Sequence, residues 1–132
     1  MREPSVFDYA TVRVVPRVER GEFVNVGVIL LCSARKFLEA KIELDPERLR
    51  ALDASLDLGD VALSLAAIPR VCAGGPEAGP IGLLNARSRF DWLVAPRSTI
   101  IQTSRVHTGR CTSPGDLLEH LLDVMVRPTR KP

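Results

Sequence analysis

Two runs rich in valine and isoleucine, residues 7–16 and 23–32, constrain the fold of this chain more than any other feature. Both runs alternate apolar and polar side chains with a period of two, which is typical of a strand with one buried face. Gly21 lies between them, and glycine readily adopts the positive φ angles that tight turns require. The sequence therefore predicts a β-hairpin. Its expected buried face carries Val12, Val14, Val24, Val26, Val28 and Leu30.

The residues after the hairpin change from strand to helical patterning. A third alternating run occupies residues 37–44, and Asp45-Pro46 follows it. This pair is typical of a helix N-terminus, because aspartate caps the first turn and proline suits its first position. The next expected elements are a helix at 58–72 disturbed by Pro69, a short helix near 81–87 and a strand near 99–105.

The C-terminal helix has the clearest start. Ser113 is expected to cap it, Pro114 occupies its first position, and Asp116 lies where a capping box places an acid. Its predicted buried stripe consists of Leu118, Leu121, Leu122 and Met125. Residues 127–132 are polar and contain two prolines, so we predict a disordered tail.

The order of these elements predicts an α+β domain. We expect an antiparallel sheet of about four strands, with about four helices packed mainly on one of its faces. A chain of 132 residues suits a single domain, which we place at residues 4–126. The hairpin's opposite, polar face carries Thr11, Arg13 and Asn25, and this face is expected to meet solvent or a partner.

Positive charge is concentrated in residues 87–110. The whole chain has a net charge of only +2, but this segment holds five arginines against Asp91 alone. Together with Phe90 and Trp92, these arginines make nucleic-acid binding one alternative function. The chain has few aromatic residues and no RNA-binding signature, and Trp92 lies in an apolar run expected in the core.

The cysteine usage indicates a reducing compartment. Cys32, Cys72 and Cys111 are odd in number and widely spaced, which argues against a disulfide framework. The N-terminal residues lack the apolar core of a signal peptide, so we expect a cytoplasmic protein. Zinc sites usually contain two close pairs of ligand residues, and this sequence lacks such pairs. We therefore predict neither a metal site nor a cofactor.

Residues 99–116 contain the candidate site. The site consists of Arg105, His107, Arg110 and Ser113, which precede or begin the C-terminal helix. The first backbone N–H groups of a helix lack partners within the helix. We predict that these four residues form a weak anion-binding site, the alternative being a capped helix with solvated arginines.

A second hypothesis makes His107, Arg110 and Cys111 the centre of a small enzyme or a nucleotide-binding factor, with a thiolate nucleophile and a histidine base. No oxyanion hole accompanies these residues, so we assign no catalytic residue.

Two blocks of the sequence resemble a known family. They are GEFVNVGVILL at 21–31 and APRSTIIQTSRVHTGRCTSPGDLLEHLL at 95–122. Together they resemble the bacterial domain-of-unknown-function family numbered 3037, over almost the whole chain. The resemblance implies a short protein encoded beside a partner similar to HipA-type kinases of toxin–antitoxin systems. We therefore expect a non-enzymatic interaction or accessory module with a kinase-like protein partner.

Overall fold

A computed structural model describes residues 3–128, which form a five-stranded antiparallel sheet with helices on both faces. The strands are β1 (Ser5–Val14), β2 (Val24–Cys32), β3 (Phe37–Ile42), β4 (Ile101–Thr103) and β5 (His107–Cys111). The helices are α1 (Pro46–Leu52), α2 (Leu58–Ala73), α3 (Ala86–Leu93) and α4 (Pro114–Met125). This architecture confirms the predicted α+β class.

The sheet has the order β3-β2-β1, and both β4 and β5 pair with the free side of β1. They form one interrupted edge, where the sequence predicts a single strand near 99–105. Ser104 lies at the interruption, and its amide donates to the Thr11 carbonyl at 2.9 Å. The Ser104 hydroxyl oxygen accepts from the Thr11 amide, also at 2.9 Å. At this break in the strand, the Ser104 hydroxyl thus takes the place of the backbone carbonyl that would accept a hydrogen bond in a continuous strand.

A β-bulge near Gly27 changes which side chains of β2 share a face. The register with β1 shifts between Val12 and Arg13, so β2 carries one extra residue at that point. Before the bulge Val26 contacts the core under α1–α3, and after it Val28 contacts α4 on the other face. The prediction that Val26 and Val28 share a face is therefore wrong, because a bulge inverts the alternation beyond it.

Two cores lie on opposite faces of the sheet. The larger core is built under α1, α2 and α3 from Val12, Val14, Val24, Val26, Ile29, Leu31, Leu49, Leu65, Ile68 and Phe90. The smaller core lies under α4 and contains Val28, Leu30, Cys32, Leu118, Leu121, Leu122 and Val126. Three helices therefore cover one face, and α4 covers part of the other.

Local signals explain most helix ends. Asp45 accepts a hydrogen bond from the Arg48 amide at the start of α1, as its pairing with Pro46 predicts. The α2 helix continues through Pro69 to Ala73, where the Arg89 guanidinium donates to two of its last carbonyls.

In the described part of the chain, no helix combines the length and apolar character that crossing a bilayer requires.

The C-terminal tail is described only in part. Arg127, which the sequence places in a disordered tail, forms ion pairs with Glu43 at 2.8 Å and with Glu119 at 2.7 Å. These contacts join the end of α4 to the segment that follows β3. The rest of the predicted tail, residues 129–132, lies outside the described residues.

Candidate functional site

The predicted anion-binding residues do not all face one point. The Tyr9 ring stacks on the His107 ring with centroids 5.1 Å apart, on the face that α4 partly covers. Arg110 lies three residues further along β5, so strand alternation directs it to the opposite face. Arg105 is exposed at the interruption between β4 and β5. The structure therefore separates His107 from Arg110 by the thickness of the sheet.

The start of α4 already carries a negative charge. Ser113 occupies the N-cap position, but its side chain makes no capping hydrogen bond to the helix backbone. Its hydroxyl donates instead to the Asp116 carboxylate at 3.0 Å. The expected cap is thus replaced by a Ser113–Asp116 pair. A carboxylate near these N–H groups interacts favourably with the helix dipole and repels a second anion.

The geometry of β5 does not support a cysteine nucleophile with a histidine base. His107 and Cys111 lie on the same face four residues apart, which corresponds to about 13 Å along a strand. Burial raises the pKa of the Cys111 thiol, and the neighbouring Cys32 thiol raises it further. Burial also raises the pKa of Cys72 to about 12. Both shifts favour the neutral thiol over the reactive thiolate at neutral pH.

Metal-binding side chains are not clustered in the part of the chain that is described. Within residues 3–128, no group of three or more His, Cys, Asp and Glu side chains could hold a metal ion. The three cysteines are free, with Cys32 and Cys72 buried and Cys111 half-buried.

Three arginines of the basic segment 87–110 make intramolecular contacts. Arg87 pairs with Asp8 at 2.6 Å and with Asp91 at 3.4 Å. Arg89 donates to carbonyls at the end of α2. Arg97 donates to the carbonyls of Trp92 and Leu93, near the end of α3. These contacts stabilise helix ends and the sheet, and they reduce the number of arginines available to a nucleic-acid backbone.

An apolar groove of about 350 Å³ opens between α2, α3 and β4. Its walls include Ile68, Val71, Leu93 and Ile101, and among residues 3–128 its only charged lining residue is Arg97. Trp92 also lines the groove and is 43% exposed, although its apolar neighbours in the sequence predict a core position. The volume lies at the lower end of the range for small-ligand pockets, about 300–1,000 Å³. No motif in the sequence indicates this site, because its walls come from segments about 30 residues apart.

The comparisons with known proteins identify a family. A family model described as a protein of unknown function, DUF3037, matches residues 9–126. The match covers most of the chain and confirms the resemblance seen in the two sequence blocks. No curated protein and no solved structure matches the chain.

Proposed function

We propose that this chain, which belongs to the DUF3037 family of proteins of unknown function, acts as a non-enzymatic interaction module. Its binding surface in this proposal is the groove between α2, α3 and β4. The observation that carries the proposal is the apolar character of this groove, with a half-exposed tryptophan at its wall. Partly exposed tryptophans in apolar surroundings are frequent energetic centres of protein interfaces.

The occupant we propose is an apolar segment of a partner protein that carries an acidic side chain. None of the described residues that line the groove is acidic, and Arg97 supplies a positive charge at its wall. The Arg97 guanidinium donates to backbone carbonyls and takes part in none of the ion pairs among residues 3–128, so no carboxylate there neutralises its charge. An acidic side chain on the partner would find a complementary potential there, which favours both association rate and orientation.

The partner we propose is a kinase-like protein similar to the HipA-type kinases of bacterial toxin–antitoxin systems, and the complex would form in the cytoplasm. The family resemblance implies this partner. Free cysteines and the apolar groove are consistent with an intracellular protein that binds another chain.

The test measures binding of the purified chain to a purified HipA-type kinase from the same host by isothermal titration calorimetry. Ala67→Glu places a charge in the groove wall, and Trp92→Ala removes its aromatic side chain. Each change should weaken binding by about tenfold or more. Val124→Glu is the matched control, because Val124 is 61% exposed on α4 and lies on the other side of the sheet.

Two results would contradict the proposal. One is binding of the kinase by both groove variants with the affinity of the parent chain. The other is a chain that does not bind the kinase but binds nucleic acid with an affinity that falls strongly as the salt concentration rises. Arg105→Gln and Arg110→Gln would remove that salt dependence.

A further inference from the structure

The outer edge of β5 is open in the described part of the chain. Within residues 3–128, β5 makes extensive contacts with β1 and with no other element. The strand at the opposite edge of the sheet, β3, is flanked by α2 and α4 as well as by its neighbour β2. An open strand edge presents unpaired backbone N–H and C=O groups, and another strand can pair with them.

The pairing of β1 determines which backbone groups of β5 point outward. Odd-numbered residues of β1 direct their N–H and C=O groups to this edge, as the Val15 amide does when it donates to the Ile100 carbonyl at 2.6 Å. In the register of β5 they face the odd-numbered members of residues 107–111, whose backbone groups are thereby used. Thr108 and Arg110 lie between these members, so their N–H and C=O groups point away from β1. The edge thus presents two outward donors and two outward acceptors.

These outward groups are complementary to themselves. A second copy can add its β5 in the antiparallel direction with Gly109 opposite Gly109, and Thr108 of each copy then faces Arg110 of the other. Each of these two pairs exchanges two backbone hydrogen bonds, so four hydrogen bonds join the copies. The two glycines form the close pair at the two-fold axis, where Cα atoms approach to about 4.5 Å.

The side chains at this edge fit the same arrangement. The half-buried Phe7 ring leans over Gly109, since a Cβ atom at Gly109 would lie 2.7 Å from the tip of that ring. The second copy brings its own Phe7 ring to the axis, which removes apolar surface from water. On the other face, Arg110 is exposed and takes part in none of the ion pairs among residues 3–128. The register places each Arg110 opposite a threonine rather than a second arginine, which avoids like charges directly opposite each other.

We propose that this chain forms a two-fold symmetric dimer through β5, in which the two five-stranded sheets join into one antiparallel sheet. The strand contributes only five residues from each copy, far fewer than the roughly 20–30 residues a side of a stable complex. We therefore expect a weak dimer, with a Kd on the order of 100 μM. The residues of β5 do not line the groove between α2, α3 and β4, so either proposal stands if the other fails.

The first test is analytical ultracentrifugation of the full chain over a concentration series that extends to ten times the expected Kd. The apparent mass of the parent should rise from that of a monomer towards that of a dimer. Arg110→Pro removes an outward N–H group that β1 does not use, and it should weaken association by about tenfold or more. Arg110→Thr is the matched control, because it keeps this N–H group and suits a strand, and it should associate as the parent does. Circular dichroism checks that both variants are folded.

The second test reports the register of the two strands. His107→Cys places a thiol opposite Cys111 of the second copy, in a close pair whose Cα separation of about 4.5 Å suits a disulfide. Within one chain the two positions are about 13 Å apart along β5, which is too far for a disulfide. Oxidation with diamide should therefore give a covalent dimer linked between positions 107 and 111, read by non-reducing electrophoresis and peptide mass spectrometry. His107→Cys combined with Cys111→Ser is the matched control and should not form this link.

Four outcomes overturn the proposal. The first is a parent chain that stays monomeric over the whole concentration series. The second is association that Arg110→Pro leaves unchanged, which would place the contact elsewhere. The third is a His107→Cys variant that forms no link between positions 107 and 111. The fourth is a monomeric parent whose β5 amides become protected from hydrogen exchange when the HipA-type kinase is added, which would assign this edge to a strand of a partner protein.

Discussion

Gly27 decides how closely β2 and β3 approach each other at the bulge. A Cβ atom at this position would lie 2.6 Å from the Lys41 carbonyl oxygen and 2.5 Å from a methyl carbon of Ile42. The backbone contact is the more serious, because a flexible side chain moves more easily than a paired strand. We expect Gly27→Ala to lower the free energy of unfolding by about 1–3 kcal/mol, as overpacked cores do.

Urea unfolding followed by circular dichroism measures this loss, and Gly115→Ala is its control. A Cβ atom at Gly115 meets nothing within 4 Å. Because alanine is the better helix former, this change should be neutral or stabilise by up to about 1 kcal/mol. Equal stability of the two variants would show that β2 and β3 are not in close contact at Gly27.

Asp8 makes the stability of this protein depend on pH. Burial alone would raise its pKa, but hydrogen bonds from Thr108 and Arg87 and the charge of Arg87 outweigh burial and lower the pKa. A lowered folded-state pKa means that the carboxylate stabilises the fold above the unfolded value of about 4. That contribution is lost as the pH falls below about 4 towards the folded-state pKa.

Asp8→Asn should therefore lower the free energy of unfolding by about 1–2 kcal/mol at pH 7, and the difference from the parent should shrink below about pH 4. Urea unfolding at pH 7 and at lower pH measures both effects. Asp91→Asn is the control, since Asp91 pairs with the same Arg87 but its side chain is 62% exposed. Such exposed pairs contribute about 0.2–1 kcal/mol. A pH-independent loss for Asp8→Asn would contradict the role of its charge.

At the scale of elements, α4 stabilises the fold through one buried stripe. Leu122 is fully buried against the second core, whereas Val124 on the same helix is 61% exposed. Leu122→Ala should lower the free energy of unfolding by about 2–5 kcal/mol, the range for a buried leucine that leaves a cavity. Val124→Ala should change it by less than about 0.5 kcal/mol. Thermal and urea unfolding give both values, and similar losses would show that α4 does not pack through this stripe.

At the scale of the whole molecule, the two cores share one sheet, so we expect them to unfold together. Cys72 belongs to the core under α1–α3, and Cys32 belongs to the core under α4. Both are almost inaccessible, at 6% and 0% exposure. In a single cooperative transition their thiols become reactive at the same denaturant concentration.

Pulsed alkylation with iodoacetamide along a urea series, read by peptide mass spectrometry, measures the two midpoints. We expect coincident midpoints for Cys32 and Cys72, and alkylation of all three cysteines in the unfolded chain without prior reduction. Labelling of Cys32 at a lower urea concentration than Cys72 would show that α4 detaches before the rest of the fold.

The sequence alone determines the elements whose signals are local. Alternating valines predict the hairpin, and Asp45-Pro46 predicts the start of α1, because these residues act on backbone within a few positions of themselves. The strand near 99–105 is predicted as one element but is split at Ser104, which depends on pairing with Thr11 about 90 residues earlier.

Only the tertiary structure decides which side chains meet. A single bulge at Gly27 sends Val26 and Val28 to different cores, and residues 107–111 become a strand by pairing with β1, which puts His107 and Arg110 on different faces. The groove likewise combines residues from separate elements. Register between strands is set by long-range packing, and a shift of one residue exchanges the two faces, so no local pattern contains this information.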